Sequence, residues 1–222
     1  MALSKLKYNS LNVTAAAGKA VGFDSGADDL AGISGGSMVF IKKLTASSSD
    51  DLSFVHGSAS VVLDSTYKEY LFTFKNIHPS ADTTFQFNGS IDAGSNYNVA
   101  KTGTIWDTYH PEDDTSSGTR FHPSSPANST DFFPLNPEGT LSNYAADENS
   151  GGYLRLYNPS STTFVKHFEG MYVHNYENSN ISWAISNYHG GYFNTTSDID
   201  AIQFKMASGT IDAGDICLYG IS

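Results

Sequence analysis

The chain has 222 residues and a formal net charge of −11, with 12 basic against 23 acidic side chains. This balance argues against binding nucleic acid or an anionic membrane through charge, and no window approaches the ~18 consecutive apolar residues of a membrane-spanning helix. Only 16% of residues are charged, whereas there are 13 Tyr and 14 Phe, a composition typical of a turn-rich all-β protein.

The single cysteine, Cys217, excludes an intrachain disulfide. Because it lies in an apolar C-terminal run, it is predicted to be a small buried residue and not a catalytic thiol. The N-terminal segment has no apolar stretch typical of a secretory signal, which predicts folding in a reducing cytosol.

Residues 1–36 are rich in Ala, Gly, Ser and Asp and contain few large apolar side chains. Such a segment cannot bury enough apolar surface to form a core of its own. It is therefore predicted to be an extended N-terminal arm, ordered against its own domain or a neighbouring subunit. The β domain is predicted to follow at 37–222.

Strand signals recur along that domain as short apolar or alternating runs. Strands are predicted near 38–41, 52–55, 60–63, 67–77, 83–91, 97–109, 153–157, 163–173, 181–185, 202–207 and 216–221. Segments 67–77 and 83–91 are predicted to form a hairpin, and 208–209 and 212–215 to form turns. The strand lengths and the lack of helical periodicity predict an antiparallel β-sandwich of jelly-roll kind.

Residues 110–151 differ from their surroundings because they hold five of the seven prolines. A long proline-punctuated segment within a compact domain predicts an excursion at one edge or a functional loop.

Two segments resemble each other, FQFNGSIDAG at 85–94 and FKMASGTIDAG at 204–214. The favoured interpretation is a recurring strand–turn device. A pair of Ca²⁺ turns at Asp92 and Asp212 is the alternative, although each offers one carboxylate where calcium requires about 6–8 oxygens.

Catalytic and metal-binding patterns are weak. The seven histidines do not stand at metal-ligand spacing, and the nearest approach to a ligand set is the cluster 110–114 with His122, which is interpreted as solvated loop charge. No phosphate-binding loop or nucleophile motif is found. Acid pairs such as Asp50–Asp51 and Asp198/Asp200 could serve a glycosidase only if the fold placed them across a cleft. The sequence therefore predicts a protein that is not an enzyme and needs no cofactor.

The segment 171–195 is rich in aromatic and Asn residues and contains one charged residue, Glu177. Aromatic faces beside amide donors suit sugar rings, protein interfaces or simply the core, and all three interpretations stay open. The candidate glycan or interface contacts are Tyr172, Tyr176, Trp183, Tyr188 and Tyr192.

Four stretches carry a family resemblance: MALSKLKYNSLN, DSTYKEYLFTFKNIHPSADTTFQF, SGGYLRLYNPSSTTFVKHF and SGTIDAGDICLYGI. With them the chain resembles the small β-sandwich virion proteins of marine tailed bacteriophages and cyanophages. The resemblance covers most of residues 50–222, with 103–150 departing as an insertion. It implies a capsid- or tail-associated protein with a concanavalin-like or jelly-roll sandwich, often trimeric, and brings no catalytic residues.

The expectation is therefore a non-enzymatic virion structural protein, assembled in the host cytoplasm. It would be a tail fibre or tail-associated adaptor that joins other virion proteins through residues 1–36 and has host glycan as a candidate ligand. A capsid decoration protein and a dedicated carbohydrate-binding module are the alternatives. A homotrimer is expected, with 171–195 or 110–151 at its contacts.

Overall fold

The computed structural model describes residues 20–23, 30–33, 37–123, 126–137, 140–143, 148–178 and 181–222. The chain divides into two compact units, 1–39 and 40–222. In the first, β1 (Ala20–Phe23) and β2 (Leu30–Ile33) form an antiparallel pair. The rest of the predicted arm, 1–36, lies outside the described residues.

Twelve further strands follow: β3 (Met38–Ser49), β4 (Asp51–Val55), β5 (Glu69–Pro79), β6 (Phe85–Ser90), β7 (Lys101–Pro111), β8 (Gly118–Phe121), β9 (Phe133–Pro134), β10 (Ser150–Tyr157), β11 (Lys166–Asn178), β12 (Ile181–Phe193), β13 (Ala201–Met206) and β14 (Ile211–Ile221). A large sheet has the order β3-β14-β5-β10-β11-β12-β7-β8, and a small sheet has the order β4-β13-β6-β9. The chain crosses between the two sheets at each step from β3 to β7.

The predicted all-β antiparallel sandwich is confirmed, because the two antiparallel sheets pack face to face. Within the described part of the chain there is no helix, and so none long and apolar enough to cross a membrane. The C-terminal strand β14 lies inside the large sheet between β3 and β5. Cys217 on this strand is buried, as predicted.

The core lies between the inner faces of the sheets and is built from aromatic rings. Phe204 of the small sheet lies 5.2 Å from Phe74 and 5.3 Å from Phe72 of the large sheet, measured between ring centroids. Both contacts have edge-to-face geometry, which places the positive ring edge against the negative ring face. These rings are exposed by at most 3%.

The predicted hairpin between 67–77 and 83–91 is wrong, although both segments contain a strand. β5 belongs to the large sheet and β6 to the small one. Phe74 and Phe85 instead meet across the core with ring centroids 5.5 Å apart. Strand periodicity identifies a half-buried strand but carries no information about its partner.

The strand predicted at 60–63 is also wrong. Ala59 and Ser60 have φ of 48° and 68°, a left-handed conformation that ends extended structure. Val61 and Leu63 are nevertheless buried, at 4% and 2% exposure. Residues 60–63 thus form a loop that faces the core. An apolar run is expected for any buried segment, so it does not by itself distinguish a loop from a strand.

The turn predicted at 212–215 is part of β14. The register with β5 shifts between Ile211, Ala213 and Asp215, so the Gly-containing segment forms bulges and the strand continues. The first copy of the echoed sequence does leave its strand: Ala93 and Gly94 have φ of 57° and 78°. The strands preceding the two copies, β6 and β13, are antiparallel neighbours.

The segment 110–151 contributes to both sheets. It contains β8, at one end of the large sheet, and β9, which pairs with β6 at one end of the small sheet. Leu135 and Leu141 from the same segment are fully buried in the core. The excursion therefore completes the sandwich.

Candidate functional site

Tyr172, the first aromatic candidate from the sequence, lies on the inner face of β11 and is fully buried. Its ring stacks on Phe85 at 5.6 Å and meets Phe74 edge-on at 5.9 Å. Its hydroxyl group hydrogen-bonds with Ser150, and burial raises its pKa. The assignment of Tyr172 as a glycan or interface contact is therefore wrong, because no ligand can reach a ring enclosed in the core.

Tyr176 and Trp183 form a second group. They face each other directly in the β11–β12 register, and both are partly buried. Trp183 lies 5.6 Å from Tyr109, and its buried indole N–H has no hydrogen-bond partner among the described residues. Because side chains alternate along a strand, this pair lies on the inner face of the large sheet, as Tyr172 does.

Tyr188 and Tyr192 lie on the opposite, outer face of the large sheet. Tyr188 stacks on Trp106 of β7, with ring centroids 4.2 Å apart and planes inclined by 12°. Tyr192 lies beside His167, at 5.9 Å between rings. The five sequence candidates thus occupy three environments, and the structure does not bring them together.

The outer face carries an aromatic row that the sequence analysis missed. Direct register partners align Tyr153, Met171, Tyr188, Trp106 and Phe121 across β10, β11, β12, β7 and β8. We call these five residues the outer row. Trp106 is 43% exposed and Phe121 is 62% exposed, which is unusual for rings of this size.

Polar side chains flank the outer row on both sides. On one side the neighbouring register row contains Arg155, Glu169 and Thr104. On the other it contains Ser186, Thr108 and Thr119, together with the apolar Val173. The charge of Arg155 is compensated, because its guanidinium lies 2.9 Å from the carboxylate of Glu69 and 4.0 Å from that of Glu169. The positive charge of Arg155 beside the row is therefore paired with two carboxylates.

The inner face opposite the outer row carries a buried charged cluster. Arg120 donates to both carboxylate oxygens of Asp107, at 3.0 and 2.9 Å, and Nε2 of His122 lies 2.8 Å from Oδ2 of the same carboxylate. Asp107 is fully buried. These contacts hold β8 and the following His122 against β7. The cluster therefore has a structural role. His110 pairs instead with Asp114 in an exposed turn, so His110 and His122 do not share a site.

Two buried lysines also serve the fold. Lys101 donates to the carbonyls of Val99 and Asp131, and Lys166 donates to those of Thr195 and Ser197. Burial lowers the pKa of Lys101 to about 7, and lowers that of Lys166 as well. Each lysine therefore attaches a loop to the end of its strand.

His189 has a comparable role on β12. Its Nε2 donates to the carbonyl of Leu135 at 2.7 Å, and burial lowers its pKa to about 4. With this pKa the ring is neutral near pH 7, and Nε2 carries the proton that it donates to the carbonyl of Leu135.

The two turns considered for calcium use their carboxylates internally. Asp92 accepts hydrogen bonds from the backbone and side chain of Asn96, at 2.8 and 2.7 Å, and from Ser90 at 2.8 Å. Asp212 accepts from Ser48 at 3.1 Å. Over the described ranges, no group of three or more His, Cys, Asp or Glu residues is placed to hold a metal ion.

No family model, curated protein or solved structure matches this chain. The fold is a β-sandwich whose large sheet carries the outer row, in which Trp106 and Phe121 are exposed.

Proposed function

We propose that this chain is a non-enzymatic structural subunit of a phage virion, a tail fibre or tail-associated appendage, and that it presents the outer row to the host surface. The virion context is supported by the resemblance of its sequence segments to virion proteins. The recognition role is carried by the exposed ring of Trp106, which stacks on the half-buried Tyr188. Large exposed apolar groups on a soluble domain commonly mark an interaction surface.

The absence of catalysis in this proposal is supported by how the titratable groups are used. The carboxylate of Asp107 is consumed by Arg120 and His122, and Lys101 is enclosed by backbone carbonyls. Both groups thus hold strands and loops of the domain together, which supports a structural role for them.

In the proposed assembly, residues 1–36 join the chain to other virion proteins, and the domain forms a homotrimer. A capsid decoration protein remains the alternative within the same class. The exposed ring of Trp106, stacked on Tyr188, also favours a second candidate function, a dedicated carbohydrate-binding module.

Quantitative mass spectrometry of purified virions of the encoding phage tests the virion assignment. We expect the chain at a fixed, low copy number, as for a tail appendage. A copy number equal to that of the major capsid subunit would assign it to the capsid surface, and its absence from virions would overturn the virion proposal.

The host-surface role is tested with phage carrying Trp106→Ala. These particles should contain the chain at normal copy number but adsorb to host cells more slowly. Phe164→Ala is the matched control, because Phe164 is 70% exposed and lies outside the outer row, in the loop before β11. Equal adsorption by the Trp106→Ala and wild-type phages would exclude the row from attachment.

A further inference from the structure

We infer that the outer row contains a binding site for one neutral pyranose ring of a glycan, seated on the free face of Trp106. The site, here called the Trp106 slot, consists of Trp106, Phe121, Thr104, Thr108 and Thr119 on β7 and β8. This inference deepens the proposed function by naming the ligand class, and it rests on the recognition role of the outer row.

The stacking geometry defines the free ring face. Tyr188 covers the face of Trp106 that is directed towards β12, at 4.2 Å between centroids. The opposite face is therefore directed towards β8, where Phe121 is the register partner of Trp106. An exposure of 43% for Trp106 is consistent with this open face. A pyranose presents axial C–H groups on a flat face of similar size, which suits contact with an aromatic ring.

The indole is also held in place before any ligand arrives. A parallel contact with Tyr188 fixes the ring from behind, and Trp has only two side-chain torsions to restrict. A binding group that is already ordered loses little entropy on association. Tyr188 is thus a positioning residue for the slot.

Three threonines lie next to Trp106 on the same face of the sheet. Thr104 and Thr108 lie two residues to either side of Trp106 on β7, and Thr119 is the register partner of Thr108 on β8. In the described part of the chain, none of the three hydroxyl groups has a hydrogen-bond partner, so each is available to a ligand. A hydroxyl group both donates and accepts, which matches the hydroxyl groups of a sugar.

Charge and size select a neutral sugar over the other occupants. None of the five residues of the Trp106 slot is charged, and the nearby Arg120 is turned to the inner face by Asp107. An anionic sugar would find no counter-charge there. A stable protein interface requires ~800 Å² from each partner, whereas the outer row spans five strands and is about 19 Å long and about 7 Å wide. A stable protein interface would therefore have to extend well beyond the row, whereas a single sugar ring would not.

The test uses the full chain carrying Trp183→Phe. The sequence has two Trp residues, so Trp106 is then the only indole that reports on binding. The protein is first applied to an array of neutral and anionic glycans, and the neutral glycans that bind are then titrated by Trp fluorescence. We expect at least one neutral pyranose glycan to alter the Trp106 emission, with an affinity that changes less than about twofold in about 1 M NaCl.

Variants define the site. Trp106→Ala should weaken binding at least about tenfold by isothermal titration calorimetry, and Thr108→Val should weaken it about fivefold through loss of one hydrogen bond. Phe164→Ala should bind like the wild type. The inference is overturned if no neutral glycan binds, if Trp106→Ala binds normally, or if only anionic glycans bind and salt abolishes the interaction. If the glycan inference is overturned but the chain is found in virions, the virion assignment is unaffected.

Discussion

Lys101 lies in an unusual environment for a lysine. A lysine is rarely fully buried, and here its ammonium group is surrounded by backbone carbonyls. Desolvation disfavours the charged form, whereas the charge of Asp131 acts in the opposite direction. Desolvation is the larger effect, which lowers the pKa from 10.5 to about 7.

This pKa predicts a stability gain on raising the pH. Between about pH 7 and the unfolded pKa, the unfolded chain binds a proton at Lys101 that the folded chain does not bind. The free energy of unfolding should therefore rise by about 2 kcal/mol from about pH 7 to about pH 9 through this group. Urea denaturation across that range measures the rise.

Lys101→Met should remove this contribution to the pH dependence, because the thioether does not titrate. Lys75→Met, at an exposed position of β5, is the control and should retain the wild-type slope. An unchanged slope in Lys101→Met would show that another group is responsible.

At the scale of a strand, the bulge between Ser150 and Gly152 on β10 sets the register with β5. Gly152 has a φ of 152°, and a Cβ there would lie 2.2 Å from the carbonyl oxygen of Met171. Gly152→Ala should therefore lower the free energy of unfolding by about 2 kcal/mol or more, since backbone must move to admit the methyl group. Chemical denaturation monitored by circular dichroism measures the loss.

Gly190→Ala is the matched comparison on β12. A Cβ at Gly190 meets no atom within 4 Å, so this variant should change stability by less than about 1 kcal/mol. Equal stability of the two variants would contradict the role assigned to the bulge.

The strands could largely be predicted from sequence, but their partners could not. Phe72 and Phe74 alternate with less buried residues, and this period identifies β5. The same pattern would arise if β5 were hydrogen-bonded to β6 in one sheet or if β5 packed against β6 from the opposite sheet. The deciding contacts, such as Phe74 with Phe204, are more than a hundred residues apart in sequence.

The outer row could not be predicted from the sequence, because it too depends on which strands are neighbours. Along β7 the inner positions are Lys101, Ile105 and Asp107, and the outer positions include Trp106. Charged side chains at two inner positions and Trp at an outer position weaken the alternation that would otherwise identify the faces. The fold accommodates the buried charges because Arg120 pairs with Asp107 and loop carbonyls accept hydrogen bonds from Lys101. Only the register across five strands shows that the outer aromatic residues are neighbours.

At the scale of the whole molecule, the outer row and the acidic surface have different consequences. A net charge of −11 keeps copies of the chain apart in solution, so self-association requires a contact with few carboxylates. The outer row is uncharged, and Arg155 is already paired beside it. The outer row therefore suits either a glycan or a second subunit, and an experiment has to distinguish the two.

The mass of the purified chain and of its Trp106→Ala variant distinguishes a glycan site from a subunit contact. We expect mass photometry of the purified chain to give a homotrimer, three times the 23.9 kDa of one subunit. The Trp106→Ala variant should have the same mass, because the inferred glycan site leaves Trp106 outside the subunit contacts. A stable monomer at micromolar concentration would rule out the trimer. A trimer that dissociates only in Trp106→Ala would instead place the outer row between subunits, and the ring face assigned to a sugar would then be covered by a second copy of the chain.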